Sequence, residues 1–336
     1  MSDVRVGVVG TGFIGLEHVA RFENSITGAS VSAIVEPDES RARTALQISP
    51  NAQWFPTIES ALESKAMDAV LIATPGQFHE PVILPVLEYG LPILCEKPLT
   101  PDPDSSLRIV NAEIAKGRKL IQVGFMRRYD VGYMELKSLI ASKKQGELLG
   151  LHCAHRNPSV PDSYHNEMLI FDSVVHEIDV VRFLTDSPIK TVQVRHLKRN
   201  SLSPERLQEP ILVLLETDSG VLATVEMNVS VQFGYQVKTE AVFEKGIAEI
   251  GRTSGMTQFF EGAISTPEHV SFKSRFADAF NFELQQWINS IRTRKFDGPS
   301  AWDGYLAAAA VAAGLEALKS GAICSVKYEQ KPSFYL

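Results

Sequence analysis

Residues 4–15 read VRVGVVGTGFIG, and this stretch decides the fold. An apolar run with strand character passes directly into Gly10-Thr11-Gly12-Phe13-Ile14-Gly15, where a helix is expected to begin. Gly10 permits the tight turn, Gly12 lets the backbone approach a pyrophosphate, and Gly15 lets helix and strand pack closely. The helix N-terminus adds free N–H groups and partial positive charge, which suit phosphate oxygens. Glycines at this spacing are a weak signal alone. Here a strand precedes them, a helix follows, and the turn is the first βα turn of the chain. The next strand-like run, SVSAIVE, ends at Glu36, 21 residues after Gly15. A carboxylate there accepts hydrogen bonds from the adenosine ribose hydroxyls and repels a 2′-phosphate, and Pro37 rather than an Arg follows it. An isolated Glu at a strand end would be read as exposed surface. In register with the glycines it points to NAD rather than NADP.

Outward from this motif, apolar runs at 4–9, 31–35, 69–73, 92–95 and 120–125 alternate with helix-length segments. Continuous apolar strands belong to a parallel sheet covered on both faces. One helix is expected over 81–89, closed by Gly90, and another over 104–115, with Thr100 or Asp102 as its N-cap. Residues 1–125 therefore read as a doubly wound α/β domain, the Rossmann arrangement. After about Arg127 the pattern changes. A helix over 133–142 and a strand over 148–155 lead to a helix over 171–185. Strands over 211–216 and 221–231 are then joined at Asp218-Ser219-Gly220, and strands over 237–243 and 247–250 at Lys245-Gly246. Successive hairpins predict a mainly antiparallel sheet with one exposed face. Helices over 276–292 and 305–319 complete an α+β domain over 126–336 for substrate binding and oligomerisation.

Composition removes whole classes of function. A chain of 336 residues implies two domains, and 44% hydrophobic residues give it a sizeable core. The formal charge of −7 argues against nucleic acid, whose phosphates need a concentrated positive field. No long charge-free apolar run suggests a membrane span, and MSDVRVGVVG leads straight into a strand, so a cytoplasmic protein is expected. Cys95, Cys153 and Cys324 are far apart and form no CxxC pair, so neither a disulfide framework nor a zinc site is expected, and no metal.

Two places carry chemistry. Cys95-Glu96-Lys97-Pro98 closes the fourth apolar run, and ligands of doubly wound sheets bind beyond the carboxyl ends of strands. Most lysines are solvated surface residues, but Lys97 at this strand end is placed to reach the cofactor cleft. The second place is FDSVVHEIDVV, residues 171–181. On an α-helix Asp172, His176 and Asp179 fall at i, i+4 and i+7 and share one face of an otherwise apolar helix. A buried Asp and His there either brace each other structurally or serve a reaction. Oxidation of an alcohol needs a base for the hydroxyl proton, and histidine titrates in the right range. HEID is not HExxH, so a metal site is the weaker reading.

Further segments complete a pattern: CEKPL (95–99), QVGFMRRYD (122–130), LHCAHRNPSVPDSY (151–164), DSVVHEIDVVRFL (172–184), AWDGY (301–305) and QKPSFY (330–335). With GTGFIG they resemble the glucose–fructose oxidoreductase and inositol dehydrogenase family along nearly the whole chain. The resemblance implies a catalytic triad of Lys97, Asp172 and His176. His176 would take the hydroxyl proton, Asp172 would orient it, and Lys97 would hydrogen-bond the reacting oxygen and help place the nicotinamide. It implies substrate contacts from Arg127, His155, Asn157 and Tyr235 as well, polar groups that suit a ring bearing several hydroxyls. The cofactor set that goes with this reading is Gly10 to Gly15, Glu36, Thr74, Pro75, His79, Glu96 and Lys97. The expected reaction is NAD-dependent oxidation of one secondary hydroxyl of a cyclic polyol, with another inositol isomer or a pyranose as the alternative substrate. A departure at Phe272 and Phe280, where the family carries larger or more polar aromatics, leaves the particular polyol open. A non-catalytic NAD sensor would have no need of Lys97, Asp172 and His176 together. The resemblance also implies a homotetramer formed through the outer face of the second-domain sheet, with which the even spread of apolar residues over 211–215 is compatible.

Overall fold

A computed structural model describes residues 3–251 and 256–336. The chain divides into two compact units, one built from the chain up to Phe125 with Phe280–Ala308 and Glu329–Leu336, the other from Met126–Ala279 and Ala309–Tyr328.

The first unit begins with β1 (Val4–Val9), α1 (Phe13–Asn24), β2 (Ala29–Val35), α2 (Glu39–Ile48), β3 (Gln53–Phe55), α3 (Ile58–Glu63), β4 (Ala69–Ile72), α4 (His79–Glu88), β5 (Ile93–Glu96), α5 (Pro103–Lys116) and β6 (Ile121–Gly124). All six strands are parallel, in the order β3-β2-β1-β4-β5-β6. The order reverses between β1 and β4, which places the ligand crevice beyond their carboxyl ends. β1, β2, β4, β5 and β6 coincide with the five expected runs, because continuous burial demands continuous apolar sequence. The edge strand β3, with α2 and α3, lay outside that expectation, since QWF is too short to show a period. Asp102 caps α5 by accepting from Ser105 N at 2.9 Å, and Gly117 ends the helix at φ 68°.

The second unit contains α6 (Val131–Ser142), β7 (Leu148–Arg156), a π-helical segment Leu169–Val174, α7 (Val175–Thr185), β8 (Ile189–His196), β9 (Ile211–Thr217), β10 (Leu222–Asn228), β11 (Gln236–Phe243), β12 (Gly246–Ile250), β13 (Gln258–Phe260), β14 (Ala263–Ser265) and α8 (Phe272–Arg275). The chain continues through α9 (Ala277–Thr293), α10 (Ala301–Ser320) and β15 (Ile323–Ser325). Seven strands form one sheet, in the order β12-β11-β7-β10-β9-β8-β15. The hairpins β9–β10 and β11–β12 occur as expected. The sheet is nonetheless mixed, because β7 lies between the hairpins and runs parallel to β10, Gly150 opposite Leu222 and Arg156 opposite Asn228. Ile211, Val213 and Leu215 of β9 point into the core, while Leu212 and Leu214 are half-buried on the other face.

The expected division was 1–125 and 126–336; the compact unit that runs up to Phe125 also takes in Phe280–Ala308 and Glu329–Leu336. Leu284, Trp287 and Ile288 of α9 are buried in one core with Val6, Val8, Ile34, Leu71 and Leu94 of the parallel sheet. The helical period of 276–292 showed an apolar face without showing which sheet it would cover. At the chain end, the Tyr335 hydroxyl donates to the Glu113 carboxylate, and the Tyr335 ring stacks on Trp302, centroids 6.2 Å apart.

Candidate active site

The glycine turn after β1 forms as its residue types require. Gly10 adopts φ +85°, a conformation that side chains resist, and its N–H donates to Val35 O at 2.9 Å. A Cβ on Gly15 would stand 1.9 Å from Gly10 O, so only glycine allows this approach of helix to strand. A Cβ on Gly12 would meet nothing within 4 Å, so the space it faces is open to a ligand. Gly12 caps α1 with no side-chain hydrogen bond, and the first turn carries no acidic residue. The first N–H groups of the helix thus meet no competing carboxylate of their own turn, which suits a pyrophosphate. Phe13 beside it is exposed and Ile14 half-buried.

Glu36 directly follows β2 as a buried carboxylate. Its Oε2 accepts from Thr11 N at 2.8 Å and Thr11 Oγ at 3.1 Å, and its Oε1 accepts from Asp38 N at 3.1 Å. Beyond β4, Thr74 holds a buried hydroxyl oxygen with no hydrogen-bond partner among the described residues, and Pro75 next to it is exposed. His79 stands behind these loops rather than facing a ligand. It is fully buried, with Nε2 2.7 Å from Thr74 O and Nδ1 3.0 Å from Pro98 O and 3.1 Å from Leu99 O. Burial lowers its pKa, and the buried Cys95 thiol lies 3.2 Å from Nδ1. The imidazole thus ties the loop after β4 to the segment after β5.

Glu96 is also engaged from within. Its Oε1 lies 2.7 Å from His18 Nε2 of α1, and Oε2 accepts from Lys97 N at 3.2 Å. Burial opposes its ionisation, but His18 and then Lys97 hold the carboxyl below its usual range. His18 in turn meets the edge of Phe280, centroids 5.8 Å apart. Lys97, half-buried, follows directly.

In the second unit Arg127, His155, His176 and Tyr235 gather around a residue that spacing did not single out. Glu177 Oε1 accepts from Arg127 Nη1, and Glu177 Oε2 lies 3.2 Å from His155 Nδ1. Arg127 Nη2 reaches the same nitrogen at 3.2 Å. Arg127 and Glu177 are each 1% exposed. Burial pushes the Glu177 pKa up, yet Arg127 and then His155 hold it at about 2. The His155 ring centroid is 6.3 Å from that of His176 and 6.0 Å from that of Tyr235. Burial raises the Tyr235 hydroxyl to about 12, so it is neutral, and Arg127 hydrogen-bonds it. Phe272 and Phe276 meet the Tyr235 ring at 6.5 and 6.3 Å, so of the two departing aromatics Phe272 belongs to this cluster. Asn157 Oδ1 is buried without a hydrogen-bond partner among the described residues, an acceptor left for a ligand hydroxyl.

Asp172, His176 and Asp179 do not share one regular α-helix. Val175 N–H bonds to Ile170 O, five residues back, so Asp172 sits in a π turn whose angular spacing differs from α. Asp179 is held elsewhere, by Arg128 (Nη2 to Oδ1 2.6 Å, Nε to Oδ2 2.9 Å) and by Arg182 at 3.7 Å. His176, 8% exposed, lies in the first turn of α7. One signal for Glu177 was present, a carboxylate beside the expected base in a helix that is buried nearly all round.

A model for an oxidoreductase family with an NAD-binding Rossmann fold matches residues 4–125, and one for the GFO/IDH/MocA C-terminal domain matches residues 133–249. The chain belongs to the GFO/IDH/MocA oxidoreductase family. Relatives in that family cover its full length. An inositol 2-dehydrogenase of Corynebacterium glutamicum is 53% identical over 99% of both chains, and one of Leifsonia xyli is 50% identical over 99% of this chain and 98% of its own. The myo-inositol dehydrogenase of Lactobacillus casei, solved with NAD(H) and myo-inositol, superposes with a TM-score of 0.96 at 35% identity, over 99% of this chain and all of that one. Among the described residues of this family member, no group of three His, Cys, Asp or Glu is placed to hold a metal ion, and the three cysteines are free and buried.

Proposed function

We propose that the chain is an NAD-dependent inositol 2-dehydrogenase, oxidising the 2-hydroxyl of myo-inositol to 2-keto-myo-inositol. The observation that carries this reading is the buried polar cluster of Arg127, His155, Glu177 and Tyr235 beside His176. Buried polar groups require partners, and a ring with a hydroxyl on every carbon supplies them in number. The full-length likeness to inositol 2-dehydrogenases supports the same substrate class. NAD, once bound, supplies the hydride acceptor. The cradle at Gly10 to Gly15 fits its pyrophosphate and Glu36 its ribose, while Thr74 and Pro75 offer a loop beyond β4. His176 takes the proton of the reacting hydroxyl, Asp172 orients the imidazole, and Lys97 hydrogen-bonds the reacting oxygen. Arg127, His155, Asn157 and Tyr235 hold the remaining hydroxyls. A panel of inositol isomers and pyranoses, followed by NADH absorbance, tests the reading. Turnover with myo-inositol is expected; turnover with pyranoses alone defeats it.

The protein is further proposed to be cytoplasmic and homotetrameric, joined through the outer face of the seven-stranded sheet. Leu149 of β7 and Leu222 of β10 are exposed, and no helix among the described residues is long and apolar enough to cross a membrane. Light scattering at micromolar concentration is expected to give four chains, and a monomer would defeat the proposal.

A further inference from the structure

We infer that Glu177 is a positioning residue for substrate recognition, a buried carboxylate that fixes which nitrogen of His155 offers a lone pair to the polyol. This rests on the functional reading above and adds to it a residue that touches no substrate itself. The geometry is a closed triangle of Arg127, Glu177 and His155, with both carboxylate oxygens used. A carboxylate held at about 2 by its neighbours only accepts, and a guanidinium only donates. His155 Nδ1 faces one of each at 3.2 Å and can serve only one. Arg127 Nη1 is already committed to Oε1 of Glu177 and Nδ1–H is the donor that faces Oε2, whereas Arg127 has the Tyr235 hydroxyl as well. The proton therefore sits on Nδ1, and Nε2 carries the lone pair. A neutral imidazole in that tautomer accepts a hydroxyl proton; in the other it donates. Tyr235 and Arg127 are donors to the polyol, so an accepting His155 makes the lining complementary to hydroxyls that both give and take. Tyr133, the other titratable group near Arg127, is kept neutral by burial and hydrogen-bonds Thr239 at 3.1 Å.

Glu177→Gln keeps the shape and removes the charge. Arg127 is then the charged group that faces Nδ1, Nδ1 becomes the acceptor, and Nε2 turns from acceptor to donor. The test is steady-state kinetics of Glu177→Gln and Glu177→Asp with the polyol as varied substrate at saturating NAD, alongside NADH affinity from fluorescence. For Glu177→Gln, KM for the polyol is expected to rise about tenfold, the size of one lost hydrogen bond. NADH affinity is expected to stay within about twofold, because the cradle lies in the other unit. Glu177→Asp, which keeps the charge but shortens the reach, is expected to fall between. A folded Glu177→Gln with wild-type KM overturns the inference and leaves Glu177 a brace of the core. If Glu177→Gln does not fold, Glu177→Asp decides, and a wild-type KM there overturns it equally. A wild-type enzyme without turnover on any polyol defeats the functional reading and this inference with it, an outcome distinct from a variant that merely matches an active wild type.

Discussion

Thr11 N–H donates to Glu36 Oε2 over 2.8 Å, and the Thr11 hydroxyl reaches the same oxygen at 3.1 Å. The residue expected to meet the ribose therefore also braces the glycine loop. Replacing Glu36 by Ser with Pro37 by Arg should remove the repulsion of a 2′-phosphate and weaken the brace together. The ratio of kcat/KM for NAD to that for NADP is expected to fall by about tenfold or more, since one charged hydrogen bond is worth about 1.5–3 kcal/mol. Kinetics with both cofactors check this. A wild-type enzyme that prefers NADP would sink the assignment of Glu36.

Gly12 and Gly15 separate ligand space from packing space. A Cβ at Gly15 collides with the Gly10 carbonyl, whereas one at Gly12 meets nothing. Gly15→Ala is expected to lower the melting temperature and NAD affinity together, because the loop must move. Gly12→Ala is expected to keep the melting temperature and raise KM for NAD, because the methyl stands in the space open to the pyrophosphate. Thermal unfolding and NAD titration of both variants distinguish these outcomes, and equal behaviour of the two would refute the division.

Much of the first unit was legible because a strand covered on both faces leaves an uninterrupted apolar record, as at 69–72 and 121–124. The return of α9 to that unit was not legible, since Leu284, Trp287 and Ile288 show an apolar stripe and no address. Glu177 was hidden for another reason. The spacing picked out Asp172, His176 and Asp179, whereas Glu177 lies about 100° round the helix from His176, where it meets Arg127 and His155. The parallel pairing of β7 with β10 escaped as well, because local hairpin signals say nothing about a strand inserted between hairpins.

Glu177 also sets an acid limit on stability. Its carboxyl titrates at 4.5 when unexposed to such neighbours and is held at about 2 in the fold, so the folded state is the poorer proton binder. Its contribution is present above about 4.5 and lost as pH falls toward about 2. Glu113 has the opposite sign, since burial raises it despite the hydrogen bonds it accepts, and its contribution is lost as pH rises through the folded value. Urea unfolding across the acid range should therefore show the gap between wild type and Glu177→Gln narrowing as pH falls below about 4.5. A gap that stays constant down to about pH 3 would show that Glu177 does not carry this dependence.

His176→Ala should lower kcat by about 10²–10⁴, the usual contribution of a positioned acid–base group. NAD affinity should barely change, because His176 and the phosphate cradle belong to different units. Asp172→Asn should also lower kcat, since an amide cannot stabilise an imidazolium. If Asp172 and His176 instead brace a buried helix, His176→Ala lowers the melting temperature while the folded fraction keeps its turnover. The π turn that carries Asp172 is in keeping with the first outcome, because such turns are frequent at functional sites. Measuring kcat and melting temperature on one preparation decides. Near-normal turnover in a stable His176→Ala enzyme would remove this residue from the chemistry and leave the proton to Lys97.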